Sequence, residues 1–191
     1  DNLYDEIARL YAGGVRHIFF QDMTFGTDRK RTGRLCGFLR AHAPELTWNA
    51  YARARDIDDA TAALYAASGC RLLQIGVETG DPALARRLGK PMPGDTARNA
   101  FRLLERHGIA AGAHYVLGLP GETPVQAART VARALALDSD YASFNAYTPR
   151  PGAALFPGDP AAPGPAARRR RLRAAYAAFY FRPRFLARRL A

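Results

Sequence analysis

Cysteine is almost missing from this chain: Cys36 and Cys70 are the only two among 191 residues. Two cysteines so far apart exclude a disulfide scaffold and a local metal knuckle. They read as inert apolar fillers in a reducing, cytoplasmic compartment. No apolar run approaches the ~20 residues of a membrane-spanning helix, and no secretory leader opens the chain. An initiator methionine is lacking too, and the abrupt start at Asp1 suggests a fragment or a trimmed chain. Acidic residues are scarce at one end only. Residues 1–150 hold 19 basic and 16 acidic side chains, a difference of +3, whereas residues 151–191 hold 9 and 1, a difference of +8, making up the formal charge of +11. The main domain is therefore near neutral. Any contact with nucleic acid or a membrane surface would have to come from the tail. The basic residues are nearly all arginine, a compositional bias that says little about function.

What the chain does have is a regular alternation of short apolar runs and amphipathic stretches. Residues 1–13 read as a helix with Leu3, Ile7 and Leu10 on one stripe, stopped by Gly13-Gly14. A strand at 15–20 ends in Gln21-Asp22-Met23-Thr24-Phe25. Asp28 can cap the next helix, which carries Leu35, Phe38 and Leu39 inward. A second strand at 46–52 ends at Arg53, and Asp58 or Asp59 starts a third helix. The third strand, Leu72 to Glu78, is followed by Thr79-Gly80-Asp81 and a short helix from Pro82. A Gly-Lys-Pro-Met-Pro-Gly break and a longer helix at 95–107 lead to a fourth strand at 110–117. Gly118-Leu119-Pro120-Gly121-Glu122 follows, and Thr123-Pro124 opens a helix to Leu137. The fifth strand is at 141–147. Strict βα alternation with crossovers of this length predicts right-handed parallel units, and five strands suit an open, partial barrel rather than a closed eight-stranded one. Residues 157–166 form a Pro/Gly/Ala linker. A basic helix runs from Ala167 to about Phe181, where Arg182-Pro183 interrupts it.

Side chains alternate faces along a strand, and each strand carries polar groups on one face. Asn49, Tyr51 and Arg53 share a parity in the second strand, Gln74, Gly76 and Glu78 in the third, and Ser143, Asn145 and Tyr147 in the fifth. His114 lies in the fourth, and the first ends in Asp22. Parallel sheets are normally covered on both sides, so a lined, wet cavity fits better than a solvent face. Ligands of such folds bind at the carboxyl ends of the strands.

Four stretches carry a family resemblance. They are Phe19-Phe20-Gln21-Asp22-Met23-Thr24-Phe25, the strand from Gly69-Cys70 through Gly76-Val77-Glu78-Thr79, the turn Gly118-Leu119-Pro120-Gly121-Glu122-Thr123, and Pro149-Arg150-Pro151-Gly152 with Ala153 where a Thr is usual. In this order they resemble the radical S-adenosylmethionine enzymes, in particular the cobalamin-binding, magnesium-protoporphyrin-ester-cyclase-like group. The tail Phe179-Tyr180-Phe181-Arg182-Pro183 is similar to that group's as well. The resemblance implies a six-stranded partial parallel β/α barrel over residues 1–156, five strands of which are present, with S-adenosylmethionine across the strand ends. It implies that Glu78 bonds the cofactor's amine or ribose, that Arg53 pairs with its carboxylate, that Asp22 lies near its methionyl end, and that Gly118, Leu119, Pro120 and Gly121 approach the adenine. Asn49, Tyr51, His114, Asn145 and Tyr147 would line the lumen toward substrate or cofactor. The residues by themselves also allow simpler roles: Glu78 bridging Arg53, Arg53 binding a phosphate, Asp22 capping a helix, and His114 as a satisfied interior histidine.

The family's three-cysteine loop, which holds a 4Fe–4S cluster, is not in this chain, and Cys36 and Cys70 do not match it. We expect that loop and the first strand upstream, and the 191 residues alone to be inactive. A protein that has lost its cluster is the other account. The implied function is reductive cleavage of S-adenosylmethionine in a longer parent, with cobalamin-dependent methylation or cyclisation of a small organic substrate and an external electron donor such as flavodoxin or ferredoxin. Alternatives are an RNA-modifying, methylthiotransferase-like enzyme and a cluster-less binding module. The aromatic residues of the tail recur at helical spacing. We expect that stripe to pack against the barrel with the arginines solvated, in preference to membrane-surface or nucleic-acid contact.

Overall fold

A computed structural model describes residues 2–90, 95–148 and 163–190. Five parallel strands form one sheet in the chain order β1 to β5: His17–Phe20, Thr47–Ala52, Cys70–Glu78, Ala110–Leu117 and Tyr141–Ala146. Neighbouring strands in sequence are neighbours in space, the commoner arrangement for short connections. The helices between and around them are α1 (Asn2–Ala12), α2 (Arg29–His42), α3 (Asp59–Ala67), α4 (Pro82–Arg87), α5 (Thr96–Arg106), α6 (Pro124–Leu137), α7 (Pro165–Tyr180) and α8 (Pro183–Leu190). The chain divides into two compact units, Asp1–Gly76 with Asp95–Gly112, and Val77–Gly94 with Ala113–Ala191.

Helix starts follow local chemistry. Asp28 accepts the Arg31 amide at 3.0 Å, Asp58 the Thr61 amide at 2.8 Å, and Asp81 the Ala83 and Leu84 amides at 3.1 Å each. Thr123 and Gln126 form a reciprocal capping box ahead of Pro124, which satisfies donors the helix cannot bond itself. One expectation needs correction. Leu10 is 41% exposed and only Ile7 of its stripe is buried, because α1 is anchored instead by Tyr4 against Phe38, ring centroids 4.8 Å apart. The helix is interrupted at Arg182-Pro183 as expected, and Pro183 then begins a further helix, α8, since proline is well suited to a helix's first turn. A single 3-10 turn, Ala54–Asp56, follows β2 and was not expected.

In the first unit the core is aromatic. Trp48 is fully buried, its ring meets Phe20, Phe25 and Tyr65 at 5.0–5.6 Å, and its Nε1 donates to the Ser68 carbonyl at 2.8 Å. Cys36 in α2 and Cys70 at the start of β3 are free and buried, and burial pushes both thiols up, so neither is a ready nucleophile or ligand.

In the second unit α7 packs on α6 and on the edge strand β5. The Tyr180 hydroxyl accepts from the Ala142 amide at 3.0 Å and donates to its carbonyl at 2.8 Å, while the Tyr176 hydroxyl accepts from the Phe144 amide at 3.1 Å. Two tyrosines thus satisfy backbone groups that an exposed edge would offer to another chain. Phe179 is fully buried against Phe144, with centroids 6.2 Å apart. Tyr176, Phe179 and Tyr180 pack as expected, but Phe181 is exposed, and three arginines are not free in solvent. Arg168 donates to the Tyr147 carbonyl at 2.7 Å, Arg171 to Glu122 at 3.0 Å, and Arg182 to Asp138 at 2.6 Å, because a carbonyl or a carboxylate faces each of them. Among the described residues no helix is long and apolar enough to cross a membrane.

Candidate functional site

The strand parities hold. Trp48, Ala50 and Ala52 are buried while Thr47, Asn49 and Tyr51 are half-buried. Along β3, Leu73, Ile75 and Val77 are buried while Gln74 and Glu78 are half-buried and Gly76 is exposed. Along β4, Ala113, Tyr115 and Leu117 are buried and His114 is half-buried. One face of β2 to β4 is core; the other is half-buried or exposed and carries Asn49, Tyr51, Gln74, Glu78 and His114.

In the first unit, Tyr51 lies in register with Gln74, and Asn49 with Leu72. The Asn49 Oδ1 is buried and has no hydrogen-bond partner among the described residues. Gly112 lies beside Gln74 and Leu72, and a Cβ there would make only ordinary contacts with Gln74 Cγ at 3.5 Å and Leu72 Cδ1 at 3.6 Å. Arg53 is exposed immediately after β2, and no hydrogen bond or ion pair joins its guanidinium to another described residue. Asp22 is exposed in the turn after β1 and caps no helix, that role belonging to Asp28. The turn itself is tied down by the Phe25 amide, which donates to the Tyr51 carbonyl at 2.7 Å.

In the second unit, Glu78 closes β3 with a backbone φ of 66°. This is the left-handed region, costly for a residue with a Cβ and frequent at functional sites. Its half-buried carboxylate accepts from the Lys90 ammonium at 2.7 Å. Lys90 lies twelve residues on and was not anticipated as a site residue. Its only sequence signal is its place at the start of the Pro-Met-Pro-Gly break. Burial lowers the pKa of His114 and the charge of Glu78 offsets this in part, so the imidazole is held toward its neutral form.

Beyond Glu78 the backbone is fastened to α6. Thr130 Oγ1 accepts from the Gly80 amide at 3.0 Å and shares a hydrogen bond with Thr79 at 3.1 Å. A Cβ on Gly80 would collide with the Arg129 carbonyl oxygen. Asp81 is buried and accepts from Arg129 at 2.7 Å and Gln126 at 3.1 Å besides its two capped amides. Burial alone would raise its pKa, but Arg129, the amides and Gln126 outweigh that and the carboxyl is held low.

The turn after β4 has Gly118 at φ 78° and Gly121 at φ 70°, with the Glu122 amide donating to the Leu119 carbonyl at 2.9 Å. Leu119 is buried and the Pro120 carbonyl accepts from Arg87 at 3.3 Å. Glu122, the last residue of the Gly-Leu-Pro-Gly-Glu stretch, folds back so that its carboxylate accepts from the Gly118 amide at 2.7 Å. Burial pushes its pKa up, while the Gly118 amide and Arg171 pull the other way without cancelling it. Tyr147 donates its amide to the Leu117 carbonyl at 2.9 Å. Asn145 is exposed and donates to Ser143 at 3.2 Å. The Pro149-Arg150-Pro151-Gly152 motif and residues 157–162 of the linker lie outside the described residues.

Asp22 and Arg53 thus follow β1 and β2 in the first unit, while Glu78 closes β3 and the glycine turn follows β4 in the second. The model of the Radical SAM superfamily matches residues 1–134, and the chain belongs to that superfamily. An uncharacterized methyltransferase of Pyrococcus horikoshii is 27% identical over 157 residues, 82% of this chain and 34% of its own length. Among solved structures, the radical S-adenosylmethionine methyltransferase TsrM from Kitasatospora setae, with cobalamin and a [4Fe-4S] cluster bound, is 25% identical with a TM-score of 0.68, covering 74% of this chain and 29% of that one. The coproporphyrinogen III oxidase HemN of Escherichia coli shares the fold, with a TM-score of 0.74 at 18% identity over 94% of this chain and 45% of that one. The chain thus spans about a third of the length of the methyltransferase relative.

Its own residues do not make a cluster site. The two cysteines are both buried, and among the described residues no group of three His, Cys, Asp or Glu side chains could hold a metal ion. In the second unit Glu78 offers a half-buried carboxylate, paired with Lys90, and the turn after β4 holds two left-handed glycines.

Proposed function

We propose that this chain is the S-adenosylmethionine-binding portion of a radical enzyme, with residues 1–156 as the partial barrel, 157–166 as linker and 167–191 as a basic helical tail. The observation that carries the reading is Glu78. A strand-end carboxylate in the left-handed region, with the Lys90 ammonium 2.7 Å away, is placed to hold a primary amine. The amino-acid end of S-adenosylmethionine presents such an amine, and an ionised carboxylate can accept from it or from ribose hydroxyls. Arg53 pairs with the cofactor's carboxylate and Asp22 lies near its methionyl end. The Gly118–Gly121 turn takes the adenine. Asn49, Tyr51, His114, Asn145 and Tyr147 face substrate or cofactor. The cofactor and a 4Fe–4S cluster supply the radical chemistry when bound, and the cluster ligands lie outside these 191 residues. The substrate is a small organic molecule, and methylation or cyclisation with cobalamin is supported by the likeness to TsrM. Electrons come from an external donor such as flavodoxin or ferredoxin.

The test uses the complete gene product, reconstituted anaerobically with iron and sulfide. Reduction in the presence of S-adenosylmethionine should yield 5′-deoxyadenosine or S-adenosylhomocysteine, and neither product appearing would reject the reading. Calorimetric titration of the same protein with S-adenosylmethionine should show Glu78→Gln weakening binding by about 10- to 100-fold, as loss of a charged hydrogen bond predicts.

A further inference from the structure

The Arg168 to Arg173 run looks uniform in sequence, but its members divide. Arg169, Arg170 and Arg173 are exposed, whereas Arg168 and Arg171, three apart and so on one face of α7, turn inward. Arg171 donates to Glu122 Oε2 at 3.0 Å, and the same oxygen accepts the Gly118 amide at 2.7 Å. The Glu122 side chain is fully buried and its Oε1 has no partner among the described residues. Arg168 acts one turn earlier. Its aliphatic stem covers Gly118, with Cγ and Cδ 3.0 and 3.2 Å from where a Cβ would stand, and its guanidinium donates to the Tyr147 carbonyl. The Tyr147 amide in turn holds the Leu117 carbonyl. The left-handed backbone of Gly118 is therefore gripped from both sides of the turn by one helix.

We infer that Arg171 and Arg168 are positioning residues for the adenosine end of the cofactor, acting through Glu122 and Tyr147 on the Gly118–Gly121 turn. The inference rests on the reading that this turn takes the adenine. A buried carboxylate that loses its cation must protonate or move; protonation weakens its bond to the Gly118 amide and movement breaks it. The family model ends at residue 134 while α7 begins at Pro165, so the turn is held by an element beyond the matched region.

Two measurements on the complete gene product test this. Hydrogen exchange at the Gly118 amide, without cofactor, should accelerate about tenfold or more in Arg171→Ala, be largely restored in Arg171→Lys, and stay unchanged in Arg170→Ala. Affinity for S-adenosylmethionine and for 5′-methylthioadenosine should fall about tenfold in Arg171→Ala and recover in Arg171→Lys, at an unchanged affinity for methionine. Should Arg171→Ala fail to fold, Arg168→Met, which keeps an apolar stem and removes the guanidinium, is read the same way. Unchanged exchange at Gly118 overturns the grip itself. Faster exchange with unchanged nucleoside affinity overturns the positioning role. Faster exchange in a protein whose wild type binds no adenosyl ligand removes the cofactor reading, and the positioning role with it, leaving a structural strap.

Discussion

Glu78 shows how one residue can be placed against its own conformational preference. Its φ of 66° costs a residue with a Cβ about 1–2 kcal/mol, and asparagine tolerates that region better. Glu78→Asn should therefore hold or raise the melting temperature while cofactor affinity falls, a split between stability and binding that a purely structural glutamate would not show. Gly80 is constrained from outside instead. Its backbone runs so close to α6 that a methyl group would strike the Arg129 carbonyl, and Gly80→Ala should cost about 1–3 kcal/mol in denaturant titration. Asp58 makes the third case. The Thr61 side chain and amide, with Arg29, hold its carboxyl down at about 2 against an ordinary 3.8. The folded value is the lower one, so its contribution is complete above pH 4 and is lost as the pH falls toward 2. Asp58→Ala should remove about 1 kcal/mol at neutral pH and flatten the acid limb of the stability curve over that interval.

At the scale of elements, α7 has two separate duties. Its tyrosines bond the edge of β5, and its inward arginines reach Glu122 and Tyr147. Tyr180→Phe removes the partner of both Ala142 backbone groups and should cost about 1–3 kcal/mol, measurable as a lowered denaturation midpoint. Deleting residues 166–191 should destabilise far more and expose an edge prone to pairing with other chains. A truncated protein that melts unchanged but loses affinity for anionic lipid or RNA would instead make the tail a docking element. The α7–α8 turn is fastened by Asp138, which ends α6 at φ 49° and accepts from Arg182 at 2.6 Å and Arg184 at 3.2 Å.

For the whole molecule, the alternation of strands and helices was legible almost residue by residue. β4 spans the expected 110–117, β3 ends at Glu78, and the caps at Asp28, Asp58 and Thr123 are where the sequence put them. The 3-10 turn after β2 and α8 were not legible, since three residues carry no period and a proline reads equally as a stop or a start. The functional residues divide the same way. Glu78 was visible as a charge ending an apolar strand, whereas Lys90 and Arg171 carried no pattern separating them from other surface cations.

Period, parity and capping are properties of neighbouring residues, so the amino-acid order was enough to determine the parallel βα architecture, the alternation of buried and open positions along the strands and the superfamily to which the chain belongs. Partnership is a different kind of property. That Lys90 would meet Glu78 twelve residues away, that Arg171 would reach Glu122 across 49, and that Tyr180 would bond Ala142 across 38 depended on how the packed helices lie against the strands. A buried carboxylate or an open strand edge is satisfied by whichever group packing brings within about 3 Å, and that distance exists only in the folded chain.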